Sequence, residues 1–88
     1  MGVTFHLTGV VQGVGMRYHI AHLAKQHGLK GHVRNRSDGS VEGIFFGSEH
    51  QIKTALDSLK THHPGTIDSL THDTIKQSPE PEAFRILP

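Results

Sequence analysis

In this chain of 88 residues, the types and spacing best suited to chemistry lie in the stretch GVVQGVGMR, Gly9 to Arg17. Glycines just ahead of a helix let the backbone curl until several N–H groups converge on one point. The first N–H groups of a helix lack internal partners, and the helix dipole adds partial positive charge there. Such a turn suits an anion, phosphate above all. Arg17 falls in the first helical turn, where a cation opposes the dipole unless an anion lies between them. Its guanidinium can grip two phosphate oxygens and holds its charge at any ordinary pH. The competing reading is a plain tight turn followed by a solvated arginine. The stretch lacks the terminal Gly-Lys-Ser/Thr of the Walker pattern, and its glycines at 9, 13 and 15 do not fit GxGxxG.

A second stretch is GHVRNRSDGSVEGIFFG, Gly31 to Gly47. Asn35 stands where a hairpin arm meets its turn. In a split βαβ sheet the first strand and this arm can be neighbours, which would bring Asn35 beside the glycine loop. Asparagine also begins turns for purely local reasons. Ser37 and His32 fall nearby in sequence. A serine nucleophile needs a base aimed at it, and no clear pair is present.

These residues need elements to position them. Val3, Phe5 and Leu7 alternate with polar residues, the pattern of a half-buried strand. Met16, Ile20, Leu23, Ala24 and His27 share one face of a helix over 16–27, and Gly28 is a natural stop. Lys30 to Asn35 and Ser40 to Gly47 form a hairpin around Asp38-Gly39. Ser48 and Gln51 make a capping box ahead of Ile52, Ala55, Leu56 and Leu59, and Pro64-Gly65 ends that helix. Ile67 to Lys76 reads as a strand whose imperfect alternation a bulge would explain. Gln77 to Glu82 reads as a loop, and Ala83 to Leu87 as a short last strand. The expected fold is α+β: a ferredoxin-like split βαβ arrangement (βαββαβ), with an antiparallel sheet and two helices packed on one face. Residues 1–88 read as a single domain.

Composition narrows the function classes. Net charge is +1 with histidine neutral, so no electrostatic bias points to nucleic acid or membrane. Phe45 and Phe46 are adjacent and point to opposite faces, a poor platform for stacking bases. No apolar run reaches the ~18 residues of a membrane span, and the N-terminus lacks a secretory signal. With no cysteine, disulfides and thiolate chemistry are excluded, and the expected location is cytoplasmic. Nine histidines are unusual. His19 and His22 share a helix face, but without a carboxylate at matching spacing no metal site is expected.

Both stretches together resemble the acylphosphatase family. Its first signature, G-x-V-Q-G-V-x-F-R, stands here as Gly9-Val10-Val11-Gln12-Gly13-Val14-Gly15-Met16-Arg17. Its second, G-x-V-x-N-x-x-x-G-x-V, stands as Gly31 to Val41 with Asn35 at the asparagine position of the motif. The spacing between Arg17 and Asn35 agrees, and the likeness covers essentially the whole chain. One departure is Met16, where the family usually has phenylalanine. Methionine is apolar and of similar reach, so it should still anchor the loop.

The resemblance implies hydrolysis of acyl phosphates to a carboxylate and inorganic phosphate. It assigns phosphate binding to Arg17 and the loop residues Gln12, Gly13, Val14, Gly15 and Met16, and positioning of the attacking water to Asn35. The expected substrate is a small acyl phosphate, with inorganic phosphate as product and competitive inhibitor. No cofactor and no metal are expected, and the chain is expected to be a monomer. A second reading is a non-hydrolytic module that binds phosphate or carbamoyl phosphate within a larger enzyme.

Overall fold

The computed structural model describes residues 1–76 and 79–88. The elements are β1 (Gly2–Val10), α1 (Met16–Gln26), β2 (Lys30–Asn35), β3 (Val41–Phe46), α2 (Glu49–Thr61), β4 (Thr66–Ile75) and β5 (Phe84–Ile86). The expected order holds. The expected loop from Gln77 to Glu82 begins with Gln77 and Ser78, which lie outside the described residues.

One sheet runs in the order β4-β1-β3-β2-β5. β1 is antiparallel to β3 and β4, and β2 is antiparallel to β3. The sheet is nevertheless mixed, because β5 runs parallel to β2. Ile75 of β4 ends beside Gly2, at the end of the sheet where β2 begins. β5 therefore starts beside Gly31 and travels in the same direction as β2.

β1 and β2 are not neighbours, since β3 lies between them. Both oppose β3, so both run the same way and finish at the same end of the sheet. Val41 of β3 pairs with Leu7 on one side and Asn35 on the other. This shared end brings the glycine loop after β1 and the last residue of β2 together.

Period-two alternation puts Val3, Phe5 and Leu7 on the helix-facing side, all buried. Phe5 stacks on Phe45 with ring centroids 4.6 Å apart, and Phe45 meets Phe84 of β5 at 5.7 Å. A Cβ at Gly43 would collide with the Phe5 ring, so the glycine makes room for it. α1 contributes Met16, Ile20, Leu23 and Ala24 to this core, and α2 contributes Ile52, Ala55, Leu56 and Leu59. Each large apolar side chain stabilises the fold by about 1.5–3 kcal/mol on burial.

The helix ends follow the sequence. Ser48 accepts from the Gln51 N–H and Gln51 Oε1 accepts from the Ser48 N–H, the expected capping box. α1 stops one residue earlier than its apolar stripe suggested, with His27 as the cap. The Leu29 N–H reaches Ala24 O at 2.7 Å and the Gly28 N–H reaches Lys25 O at 3.3 Å, a Schellman closure.

The β1–β4 register shifts between Thr8 and Gly9, leaving Asp68 as the extra residue of a bulge. Phe45 and Phe46 take opposite faces and both are buried, Phe46 beside Ile75. Neither offers a base a surface to stack on.

Candidate active site

β1 gives way to the loop at Val11, which is buried and ties the loop to the core. Gly13 (φ 73°) and Gly15 (φ 83°) both take the left-handed conformation, which side-chain-bearing residues seldom adopt. Among the described residues, none of the N–H groups of Gln12, Gly13, Val14 and Gly15 donates to a backbone carbonyl. Gly15 then caps α1, accepting at its carbonyl from the His19 N–H at 3.0 Å. Met16 is 1% exposed, so it anchors the loop as expected of a phenylalanine replacement.

A small cavity of about 190 Å³ opens at this point, lined by Val11, Gly13, Gly15, Met16, Arg17, Tyr18 and Asn35. The sequence pairs Arg17 with Asn35, and the fold brings both to one cavity. Gln12 and Val14 do not line it. The Gln12 amide instead donates to Arg36 O at 2.7 Å and to Ser40 O at 2.9 Å. These two carbonyls belong to the turn between β2 and β3, so Gln12 clamps the glycine loop to the turn that follows Asn35. Val14 packs against the core.

The turn itself is a three-residue loop. The Arg36 N–H donates to Ser40 O at 2.8 Å, and the Gly39 N–H to Arg36 O at 3.2 Å. Asp38 Oδ1 accepts from the Ser40 N–H at 2.9 Å and also from its hydroxyl. The Ser40 bonds hold the Asp38 carboxyl below its ordinary 3.8.

Arg17 is half-buried, and its Nη1 donates to the carbonyl oxygen of Leu87 at 2.9 Å. That carbonyl is itself fixed. The Leu87 N–H donates to Val33 O at 2.8 Å, and the Gly31 N–H donates to Ala83 O at 3.1 Å. With Phe84 seated on Phe45, the C-terminal strand becomes a strap that sets one edge of the guanidinium.

Asn35 shares the helix-facing side of β2 with Gly31 and Val33, both buried. Its Oδ1 is buried and, among the described residues, has no hydrogen-bond partner. A buried acceptor left unpaired costs about 1–3 kcal/mol unless water or a ligand supplies a proton.

Other residues near the motif are elsewhere. His32 alternates with Gly31 and Val33, so it faces the opposite side of the sheet, with Thr4 and His6. Ser37 is exposed in the turn. On that open face Glu42 Oε1 accepts from Arg34 Nε at 2.6 Å, and Glu42 Oε2 accepts from Arg36 Nη1 at 3.2 Å. The Arg34 hydrogen bond, followed by the charges of both arginines, holds the Glu42 carboxyl below its ordinary 4.5. His19 Nε2 lies 2.7 Å from His62 O, joining α1 to the end of α2.

Fold and site together define a ferredoxin-like α+β protein whose glycine loop and unpaired amide meet at a shared end of the sheet. The family model for acylphosphatase matches residues 3–86. The chain is 38% identical over 86 residues to the acylphosphatase of Paenarthrobacter aurescens, covering 97% of this chain and 92% of that one. It is 54% identical over 62 residues to the acylphosphatase of Pasteurella multocida, covering 70% and 68%. The crystal structure of the Bacillus subtilis acylphosphatase superposes with a TM-score of 0.90 at 27% identity, covering 98% of this chain and 97% of that one. The chain belongs to the acylphosphatase family, and it is a hydrolase of acyl phosphates.

Proposed function

We propose that Arg17 and the loop from Gly9 to Arg17 hold the phosphoryl group of a small acyl phosphate, while Asn35 holds the water that attacks it. The observation that carries this reading is that Asn35, whose buried Oδ1 has no partner among the described residues, lines the same cavity as Arg17. An amide cannot act as a base near neutral pH, but its oxygen can accept a hydrogen bond from water and fix its direction.

The chemistry asks little of the protein. The water oxygen bonds to phosphorus on one side, and the bond from phosphorus to the carboxyl oxygen breaks on the other. The water proton goes to a phosphoryl oxygen, and the carboxylate leaves as a stable anion without a proton donor. What remains is positioning and charge stabilisation. The backbone N–H groups from Gln12 to Met16 have no competing backbone role and suit the equatorial oxygens. Leu87 O occupies one hydrogen of the Arg17 guanidinium, and the others remain for the phosphoryl group. Gln12 contributes its backbone to the cradle and its side chain to the clamp. Arg17 supplies the fixed positive charge, so the scheme has no step that requires a metal.

Inorganic phosphate, as product, fits the same cradle and competes with substrate. Among the described residues only Met1, Val10 and Tyr18 are exposed large hydrophobics, which supports a monomer. No helix is long and apolar enough to cross a membrane. That feature and a chain without cysteine support a cytoplasmic location.

The test is hydrolysis of benzoyl phosphate with a chelator present, for wild type, Arg17→Ala and Asn35→Ala. Arg17→Ala should lose both substrate affinity and turnover. Asn35→Ala should lose mainly kcat, by about 10²–10³-fold if the amide acts in the transition state. Equal, small losses in both variants would refute these roles.

A further inference from the structure

The cavity has a floor and a rim. Val11 and Met16 form the buried floor together with Asn35, whose Oδ1 is buried and unpartnered among the described residues. The exposed members of the lining are Gly13, Gly15 and Tyr18. At both glycines the space where a Cβ would stand is empty to 4 Å. Tyr18 is thus the one exposed side chain on the rim. It is 71% exposed and lies outside the buried stripe of α1 formed by Met16, Ile20, Leu23 and Ala24. Core packing does not account for a ring at this position.

In-line displacement fixes where the acyl group must lie. The attacking and leaving oxygens are on opposite sides of phosphorus. With the water at the buried Asn35 amide, the leaving carboxylate points away from the floor, out through the rim. We propose that Tyr18 is the specificity-determining contact for the acyl group. Its ring packs against the substituent and favours acyl phosphates bearing flat or apolar groups over those bearing a methyl. This inference rests on the site reading given above. The shelf is one-sided, with the ring on one side and bare glycine backbone and solvent on the other. It therefore tunes preference rather than excluding substrates. A single ring contact of this kind shifts kcat/KM by roughly three- to tenfold.

The experiment compares kcat/KM for benzoyl phosphate and acetyl phosphate in wild type, Tyr18→Phe, Tyr18→Ala and Arg17→Ala. Comparing the benzoyl-to-acetyl ratio across variants cancels the intrinsic difference between the two leaving groups. The ratio should fall roughly three- to tenfold in Tyr18→Ala and stay near wild type in Tyr18→Phe, because the ring and not the hydroxyl makes the contact. A ratio that Tyr18→Ala leaves unchanged overturns the proposal, whether or not both rates fall together. A ratio that Tyr18→Phe lowers as far as Tyr18→Ala also overturns it, since the hydroxyl would then be responsible. Arg17→Ala that turns over both substrates like wild type overturns the underlying site reading instead.

Discussion

The guanidinium of Arg17 and the main-chain carbonyl of Leu87 lie 2.9 Å apart, joined by a hydrogen bond across 70 positions of sequence. A main-chain acceptor cannot be removed by side-chain substitution, so its role is tested by shortening the strap. Deleting Leu87 and Pro88 should raise the inhibition constant of inorganic phosphate about tenfold, the scale of a lost hydrogen bond to a charged group. Far-ultraviolet circular dichroism should still report the fold, since the apolar core ends before these residues. An inhibition constant equal to that of the full chain would show that the strap does not position Arg17.

Gln12 makes two hydrogen bonds to carbonyls of the β2–β3 turn, one of them to the buried Ser40. Gln12→Ala should lower stability by about 1–3 kcal/mol, read as a lower urea midpoint, because two hydrogen bonds worth about 0.5–1.5 kcal/mol each are lost while each carbonyl keeps its backbone donor. Activity should fall as well, since the loop is then free to shift relative to Asn35. A variant as stable as wild type would mean that water replaces the amide without cost.

Gly15 separates conformational strain from crowding. A Cβ there meets nothing within 4 Å, yet φ is 83°. Gly15→Ala should therefore lower stability by about 1–2 kcal/mol through backbone strain alone. Gly15→Asn should cost less, because asparagine tolerates the left-handed region. If alanine and asparagine were equally costly, side-chain size rather than φ would control the position.

The carboxyl of Glu42 titrates below its ordinary 4.5, with Arg34 as the leading cause and Arg36 also facing it. His6 of β1 pairs with it in register. A lowered folded-state pKa stabilises the fold above the unfolded value, and that stability disappears as pH falls through the folded value. Stability should therefore decline below about pH 4.5. Glu42→Gln should flatten that acid limb while leaving the neutral plateau lower. Chemical unfolding followed from pH 3 to 7 distinguishes the two curves, and parallel curves would exclude Glu42 as a source of the acid sensitivity.

Much of this architecture was readable in local patterns. The alternation of Val3, Phe5 and Leu7, the capping box of Ser48 and Gln51 and the stop at Gly28 are short-range signals, and each holds. The direction of β5 was not, because a three-residue strand takes its orientation from where β4 ends. The carbonyl of Leu87 carries no side-chain signal at all. His32 was legible by a stricter use of period two, since it alternates with Val33 while Asn35 does not. Tyr18 was legible as an aromatic ring off the apolar stripe of α1. The side-chain role of Gln12 was hidden because its partners are backbone atoms of a turn more than twenty residues away.

The cradle, the amide and the strap come from residues 12–17, 35 and 87, and none of the three is a site alone. A partly folded chain with β5 undocked lacks the Leu87 carbonyl that fixes Arg17, so on the proposed reading phosphate would have little to bind there. A ligand that binds only the closed form stabilises it by RT ln(1 + [L]/Kd), about 2.7 kcal/mol at a hundredfold excess over Kd. On the proposed site reading, a phosphoryl ligand would act on the whole chain as a clasp, fastening its first turn of helix to its last strand. The phosphate concentration around the molecule would then be one of the quantities that sets its folding equilibrium.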